Sequence, residues 1–425
     1  MSIRVLCCCG SLESGGSERQ LWQLAVGLPA QHFAAEIYLI YRRGVYLEKV
    51  PARIPVTDFD SQAGSTRYWT PGAIHRQQVK HLIRTLRERQ IDVVYDRTFH
   101  MTLLTAVACR ATRTPRVSVI VSPPSQDFVR SKERFGWLKK RLLARAYRDQ
   151  RSICLAVTEC VAQDAADFYG LTRSNIWVVP SPIDIRQVED AAQTKLSCAG
   201  EADPCGPKWR WVVVGRLSGE KGHGLAIRAM AHLRNMRPHL MRTIELVLIG
   251  AGPEREALVE LVQQLGLQSS VRFVGQLANP YPWIRSAELL CIPSLYEGLP
   301  NVALEAMCLH TPIVATDCSG SLRELLGVPL PVFPANQSRH GKGGQPVASR
   351  LATGQYTEGQ RGVMISIDDE QALASAVLDS LDRPQAWAVR AAAAGAWVRE
   401  RHGMQPWLEQ MQQLFETLPK AEDRG

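Results

Sequence analysis

Two carboxylates, Glu297 and Glu305, stand eight residues apart in the stretch "YEGLPNVALEAM". A glycine–proline turn and the start of an apolar helical run separate them. The spacing predicts that Glu297 lies in a loop near a reacting centre, that Asn301 or a near neighbour caps the following helix, and that Glu305 lies in the first turns of that helix. A carboxylate in that helix can accept hydrogen bonds from paired sugar hydroxyls, and the amides of residues 298–302 can point at a phosphate. The two carboxylates therefore need not share one task.

Two cations stand five residues apart in a second stretch, "VVVGRLSGEKGHG" at residues 212–224. Arg216 and Lys221 lie in a glycine-bearing loop between a predicted strand and a predicted helix. This arrangement suits a diphosphate, because an arginine can grip it through two nitrogens while a lysine acts as a point charge. The alternative is a pair of solvated surface cations.

A glycine-rich stretch, "GSLESGGSERQ" at residues 10–20, follows the first predicted strand. Gly15 and Gly16 can bring the backbone close to a ligand, and Ser17 is predicted to cap the next helix. The glycine spacing does not fit the dinucleotide fingerprint G-x-G-x-x-G. An ordinary tight turn is the alternative.

Strand-like runs rich in β-branched residues alternate with helical patterns along the chain, which indicates parallel sheets covered on both faces. The predicted fold is α/β, with two doubly wound Rossmann-like domains facing each other across a cleft. The predicted organisation is as follows: an amino-terminal domain at 1–192, a linker at 193–208, a carboxy-terminal domain at 209–398 with a long insertion near 328–361, and a carboxy-terminal helix at 399–425 that packs back on the amino-terminal domain.

Composition sets further limits on function. The 425 residues favour two domains, and the chain contains neither a long uninterrupted apolar run nor a signal-peptide pattern. Its 11 cysteines lack metal-site spacing and indicate a reducing, cytoplasmic setting. Residues 1–185 hold 26 Lys/Arg against 16 Asp/Glu, a net charge of +10, whereas residues 186–425 hold 24 against 25. The excess positive charge of the first half therefore either faces an anionic partner or keeps the protein soluble.

The motifs taken together resemble glycosyltransferase family 4, the retaining nucleotide-sugar transferases of the GT-B fold. In the second half the resemblance is carried by "VVVGRLSGEKG", "ELVLIGAGPEREALVELVQQLGL", "VRFVGQL", "IPSLYEGLPNVALEAM" and "PIVATDCSGSLREL". In the first half it is carried by "GGSERQLWQLAVGL", "AVTECVAQDAADFYG" and "IWVVPSPID".

The resemblance implies roles for residues of this sequence. Glu297, Arg216 and Lys221 would serve catalysis, with Glu297 at the donor sugar and the two cations at the leaving diphosphate. The implied donor-binding residues are Gly15, Gly16, Gly298, Leu299, Pro300, Asn301 and Glu305, with Glu305 on the ribose. The resemblance also implies a nucleotide-sugar donor, with uracil favoured as the base and guanine open. It implies no metal and no other cofactor. Retention by front-face attack is implied, so Glu297 is not assigned as a nucleophile.

The first half departs from the family at one point. Many members place a histidine after the strands that correspond to "DVVYDRT" and "VSVIVSPP", where this chain has Tyr95–Arg97 and Ser122–Pro124. His100 is near but offset. Either Arg97 or Ser122 makes the sugar or acceptor contacts instead, or the acceptor is bound differently.

Residues 129–151 carry nine basic and two acidic residues with interleaved aromatic and aliphatic ones. Such a run suits an anionic membrane surface, and inside a transferase it favours a lipid-linked acceptor over nucleic acid. An ordinary amphipathic helix is the alternative. The sequence thus predicts a cytoplasmic hexosyltransferase, peripheral on the inner membrane face, that acts on a glycan or lipid-linked acceptor in polysaccharide assembly. A non-catalytic nucleotide-sugar binder and a sugar-nucleotide epimerase are the rival functions.

Overall fold

The computed structural model describes residues 2–13, 15–62, 72–131, 135–194, 209–329 and 353–418, with only the backbone of residues 129–131. The chain divides into two compact units. The first comprises Met1–Pro182 together with Met404–Gly425, and the second comprises Ile183–Gly403.

The first unit is built on a seven-stranded sheet in which every strand pairing is parallel. Its strands are β1 Ile3–Cys9, β2 Phe33–Leu39, β3 Val56–Asp58, β4 Val93–Arg97, β5 Arg116–Ile120, β6 Ser152–Ala156 and β7 Ile176–Val178. They lie in the order β3-β2-β1-β4-β5-β6-β7. Strands β4 and β5 are buried along their whole length, because helices cover both faces.

The helices of the first unit include α1 Gly16–Gly27, α2 Ala73–Glu88, α3 Phe99–Thr112, α4 Pro124–Ser131, α5 Gly136–Tyr147 and α6 Glu159–Tyr169. The basic run at residues 129–151 is therefore not one helix, since α4 ends at Ser131 and α5 begins at Gly136.

The second unit repeats the plan with strands β8 Trp209–Val214, β9 Ile244–Ile249, β10 Val271–Gly275, β11 Leu289–Ile292, β12 Ile313–Thr316, β13 Tyr356–Glu358 and β14 Val363–Ile365. Their order is β10-β9-β8-β11-β12-β14-β13, and only β13 runs antiparallel to its neighbour among these strands. Both faces are buried, because Trp211 and Val213 of β8 enter one apolar cluster while Val212 enters another.

The helices of the second unit are α7 Ile185–Ala191, α8 His223–Met236, α9 Arg255–Gln264, α10 Tyr281–Arg285, α11 Asn301–Cys308, α12 Gly320–Leu326, α13 Glu370–Asp382 and α14 Pro384–His402. The chain then returns to the first unit as α15 Met404–Glu416. Short 3₁₀ turns lie at Leu47–Lys49, Asp60–Gln62, Arg173–Asn175, Gly219–Lys221 and Pro238–Arg242. The predicted α/β architecture of two doubly wound sheets is confirmed.

Some boundaries differ from those expected from the sequence. The first unit ends at Pro182 rather than at residue 192, and α7 belongs with the second unit, where it contacts α11. Most of the predicted linker, residues 195–208, lies outside the described residues. The same holds for residues 330–352 of the predicted insertion. The later part of that insertion contains β13, an edge strand that pairs with β14.

Candidate functional site

Each sheet has a point at which the strand order reverses, between β1 and β4 in the first unit and between β8 and β11 in the second. Ligands of doubly wound sheets bind outside the carboxyl ends of the strands at such a point. The loops that follow β8 and β11 hold Arg216, Lys221 and Glu297, so these residues lie where a ligand is expected.

Gly222 fixes the approach of these two loops. It has a φ of 64°, and a Cβ on it would lie 1.9 Å from the carbonyl oxygen of Pro293, just after β11. The backbone amide of Leu295 also donates to the carbonyl of Glu220 at 2.8 Å. A residue without a side chain is therefore required at position 222, and the loop that carries Lys221 is held against the loop that carries Glu297.

Lys221 and Glu297 form an ion pair. Lys221 Nζ donates to Glu297 Oε1 at 2.7 Å, and the hydroxyl of Ser294 donates to the same oxygen at 2.7 Å. Glu297 is 7% exposed, whereas the Lys221 side chain is 30% exposed. Two charge-assisted hydrogen bonds thus hold the buried carboxylate of Glu297 in one orientation, and such bonds are strong. The ammonium of Lys221 remains accessible from solvent.

Arg216 is the second predicted cation. It follows β8 directly and is exposed, and no carboxylate in the described part of the chain forms an ion pair with it. Its guanidinium is therefore available to an anion that reaches the end of β8.

Helix α11 begins at Asn301, with Pro300 in the capping position. No side chain caps this helix, so the expectation that Asn301 or a neighbour would cap it is wrong. Gly298, Leu299 and Pro300 form the turn before the helix. The first amides of a helix have no intrahelical acceptor, and uncapped ones at this position suit an anion.

Glu305 lies in the second turn of α11 and is 8% exposed. The hydroxyl of Tyr281, at the start of α10, donates to Glu305 Oε1 at 3.3 Å. A nearly buried carboxylate with a tyrosine partner keeps a fixed orientation, as the binding of paired hydroxyls requires.

His223 was not singled out from the sequence, yet it adjoins this site as the first residue of α8. It is 1% exposed, and neither ring nitrogen has a hydrogen-bond partner within the described residues. Burial lowers its pKa to about 4, and the charge of Lys221 adds to this effect. Its position next to the loop glycine was the signal that could have identified it.

In the first unit, the glycine-rich loop leads into α1. The helix begins at Gly16 with Gly15 as its cap, so Ser17 lies inside the helix and the prediction that it caps the helix is wrong. A Cβ on Gly15 would lie 2.1 Å from the carboxylate of Glu18. This carboxylate lies at the helix start, where acidic groups are favoured. A role of Gly15 and Gly16 in donor binding stays a prediction.

Arg97 ends β4 and is only 4% exposed. Its Nη1 donates to the hydroxyl of Tyr95 at 2.9 Å, while its Nε has no acceptor among the described residues. The next residue, Thr98, has a φ of 75°, a strained value for a β-branched residue. Strain and an unsatisfied buried donor at the strand-order reversal are typical of a functional position.

Ser122 and His100 occupy different surroundings. The Ser122 hydroxyl donates to the carboxylate of Asp127 in α4. His100 is on α3, where partial burial lowers its pKa and the charges of His75 and Lys139 lower it further. Asp127 was not identified from the sequence, because the four residues between it and Ser122 lead into α4, and the pattern does not show that this helix start brings the two side chains together.

No group of three His, Cys, Asp or Glu side chains that could hold a metal occurs in the part of the chain that the structure describes. None of the helices within those same ranges is both long enough and apolar enough to span a bilayer. No disulfide joins any two of the nine cysteines in the described ranges.

Two family matches cover most of the chain. Residues 14–187 match the family described as Glycosyltransferase Family 4, and residues 209–339 match the family described as Glycosyl transferases group 1. The chain belongs to the family 4 glycosyltransferases with the GT-B fold, as its motifs predicted.

Curated relatives match over part of their length. The N-acetylgalactosamine-N,N'-diacetylbacillosaminyl-diphospho-undecaprenol 4-alpha-N-acetylgalactosaminyltransferase of Campylobacter jejuni is 34% identical over 114 residues, which is 27% of this chain and 29% of that protein. The D-inositol 3-phosphate glycosyltransferase of Kribbella flavida is 31% identical over 175 residues, which is 39% of this chain and 40% of that protein. The chain thus spans less than half the length of these relatives.

A solved structure matches along the whole chain. The crystal structure of Anabaena Alr3699/HepE in complex with UDP has a TM-score of 0.73 and 21% identity, and the match covers 98% of this chain and 100% of that one. At this level of identity the likeness shows the fold.

Proposed function

We propose that this protein moves a hexosyl or N-acetylhexosaminyl group from a UDP sugar to a glycan or lipid-linked acceptor, with retention of configuration. The observation that carries the proposal is the Lys221–Glu297 pair, held at the strand-order reversal of the second unit with the exposed Arg216 in the loop that also carries Lys221. The UDP in the structurally similar Anabaena protein supports the choice of donor. The diphospho-undecaprenol in the name of the Campylobacter relative supports the choice of acceptor.

In the proposed reaction, the bond between the sugar C1 and the β-phosphate oxygen breaks while a bond from C1 to the acceptor oxygen forms on the same face. The acceptor proton passes to the leaving phosphate. Lys221 exchanges Glu297 for this phosphate, and Arg216 with the first amides of α11 offsets the remaining negative charge. These cations take the place of a metal. Glu297, once released, is an acceptor for the sugar hydroxyls, and Glu305 holds the ribose.

We expect purified protein to transfer label from one member of a panel of UDP-glucose, UDP-galactose, UDP-N-acetylglucosamine, UDP-N-acetylgalactosamine and GDP-mannose to a lipid-linked acceptor fraction. Glu297→Gln should lower kcat by at least about 100-fold, because it removes charge at the reacting centre and keeps the size of the side chain. Glu256→Gln, on the exposed face of α9, is the matched control and should leave the rate unchanged.

Other results would separate the rival functions. Donor binding without transfer, unchanged by Glu297→Gln, would indicate a nucleotide-sugar binder. A changed sugar nucleotide formed without acceptor would indicate an epimerase. A folded protein that neither binds nor uses any of the donors would overturn the proposal.

We also propose that α5 places the protein on an anionic membrane surface. Its buried side holds Leu143 and Tyr147, whereas Trp137 is 64% exposed. The other large apolar side chains exposed at this helix are Phe135, Leu138 and Leu142. Exposed Arg141 and Arg145 flank them. Apolar groups beside cations fit a bilayer of anionic lipid better than a nucleic acid.

Vesicle sedimentation tests this surface. Binding is expected to phosphatidylglycerol vesicles but not to phosphatidylcholine vesicles, with Arg141→Ala and Arg145→Ala each costing about 1 kcal/mol. Trp137→Ala should weaken binding at high salt as well, since its contribution is apolar. Equal binding to both vesicle types, or tighter binding to duplex DNA, would contradict the proposal.

A further inference from the structure

A cavity lies in the first unit, away from the carboxyl ends of the strands. It has a volume of about 410 Å³ and is formed where β6 and β7 begin, beside the end of α5 and the end of α6. Arg97, by contrast, is the last residue of β4, and Ser122 lies two residues after the end of β5. The cavity is therefore distinct from the positions discussed so far, and its volume is within the range of small-molecule sites.

The offset of two strands creates this cavity. Strand β7 is the edge of the sheet, and its first residue, Ile176, is in register with Cys154, the third residue of β6. Ser152 and Ile153 therefore extend beyond the start of β7. The loop at residues 170–175 stands on the other side of the resulting gap.

The two charged side chains that line the cavity already have hydrogen-bond partners in the protein. Arg148 donates to the carbonyls of Tyr169 and Gly170 at 2.8 and 3.0 Å. Asp149 accepts from Arg110 at 3.3 Å and from the backbone amide of Arg151 at 3.2 Å. Each of the two charged side chains in the lining is thus already hydrogen-bonded to protein, and the other polar side chains of the lining are the ones left for a ligand.

The remaining polar side chains are neutral. Gln150, Ser174 and Asn175 line the cavity and are exposed. Amide and hydroxyl groups of this kind can each donate and accept hydrogen bonds. None of the three side chains forms a hydrogen bond with protein in the ranges that the structure describes.

An exposed aromatic ring completes the lining, in addition to the buried Tyr147. Trp177, in the middle of β7, is 52% exposed. A flat indole offers an apolar face to the C–H groups of a pyranose ring, while neutral amides and hydroxyls beside it match the ring hydroxyls. We propose that this cavity is a saccharide-binding site, occupied by one or two sugar units of a neutral glycan. The proposal goes beyond the transfer reaction, because binding here needs neither donor nor turnover.

Saturation-transfer NMR and calorimetry with lactose, maltose and N,N′-diacetylchitobiose, in the absence of any nucleotide, test the proposal on the full chain. At least one disaccharide should bind with millimolar affinity. Trp177→Ala should weaken it at least about tenfold, as expected when a stacking aromatic is removed. Asn175→Ala is the second variant and should weaken binding without removing apolar area.

Tyr41→Ala is the control, since that ring is also exposed but follows the carboxyl end of β2, and it should bind the disaccharide as the wild type does. Added UDP should not displace the sugar. The proposal is overturned if no disaccharide binds, if binding survives both cavity variants, or if UDP competes. Failure of the transfer assay with sugar binding intact would count against the proposed reaction alone.

Discussion

Lys221 and Glu297 carry opposite charges at a short distance, and this pairing explains how the proposed diphosphate site can stay stable without ligand. An ammonium buried without a partner is costly, and so is a lone buried carboxylate. In the ion pair, Lys221 and Glu297 each remove this cost for the other as long as the proposed anionic donor is not bound. Because Lys221 keeps part of its surface in water, its exchange from carboxylate to phosphate requires no unfolding of the loop.

His223 predicts a pH dependence of stability. Its pKa in the folded protein is about 4, below the ordinary value of 6.5. As the pH falls from 6.5 to 4, His223 becomes protonated in the unfolded chain but stays neutral in the folded chain. The free energy of unfolding therefore decreases by about 3 kcal/mol over this window. His223→Leu should abolish this part of the decrease, and at pH 7 it should change stability by less than about 1 kcal/mol.

Urea unfolding at pH 7 and pH 4.5 measures the effect. His239→Leu, in an exposed 3₁₀ turn, serves as the control and should leave the pH dependence as it is in the wild type. If His223→Leu loses as much unfolding free energy between pH 7 and pH 4.5 as the wild type does, groups other than His223 cause the loss.

Several candidate site residues could be chosen from the sequence, whereas their partners in the folded protein could not. Arg216, Lys221, Glu297 and Glu305 were identified because each stands at a recognisable strand–loop–helix junction. The partner of Lys221 is 76 residues away along the chain, and only the folded sheet brings the two loops together. The partner of Glu305, Tyr281, lies in a short helix whose sequence shows no sign of this contact.

At the scale of elements, the β4–α3 junction shows how the fold positions Arg97. Asp96, one residue earlier, is fully buried and accepts hydrogen bonds from Thr102 at 2.7 Å, Thr105 at 2.6 Å and Ser118 at 2.9 Å. Burial raises the pKa of this carboxyl, and Arg116 at 3.9 Å opposes the rise. The network ties β4 to α3 and β5, so the strained turn that follows is held in place.

The close approach of the loop before α8 to the loop after β11 leads to a prediction about Gly222. Gly222→Ala would place a methyl group 1.9 Å from the Pro293 carbonyl at a positive φ, so the two site loops must separate. We expect a loss of about 1–3 kcal/mol in unfolding free energy and a clear loss of UDP-sugar affinity by calorimetry.

Gly224→Ala is the matched control for this prediction. Gly224 lies inside α8, where the nearest atom to a new Cβ is the flexible end of Arg228 at 3.2 Å. Alanine there should stabilise the helix by up to about 1 kcal/mol and leave donor binding intact. If both variants behave alike, Gly222 does not set the spacing of the loops.

The long strands were predicted from the sequence, whereas the three-residue edge strands were not. The runs "AEIYLIY", "RVSVIVS" and "IELVLIG" are long and β-branched, and each overlaps a parallel strand of the structure. Edge strands β3 and β13 have three residues each. Three residues are too few for a periodic pattern, and pairing with a neighbour rather than local sequence determines them.

For the whole molecule, the return of the chain from the second unit to the first has a measurable consequence. Helix α15 belongs to the first unit, where Phe415 packs against Phe33 at 6.2 Å and Tyr95 at 6.3 Å between ring centroids. Leu408 of the same helix packs against Gly27 at the end of α1. The first unit therefore draws part of its core from the far end of the chain.

Phe415→Ala should destabilise the first unit by about 3–5 kcal/mol, because it leaves a cavity against β2 and β4. Hydrogen exchange should show faster exchange of amides in β1, β2 and β4, while those in β8 and β9 exchange as in the wild type. Glu416→Ala, at the adjacent exposed position, removes a side chain without opening a cavity and should change neither set. Equal acceleration in both sheets would mean that the two units unfold as one, and no acceleration in either would mean that α15 adds nothing to the core of the first.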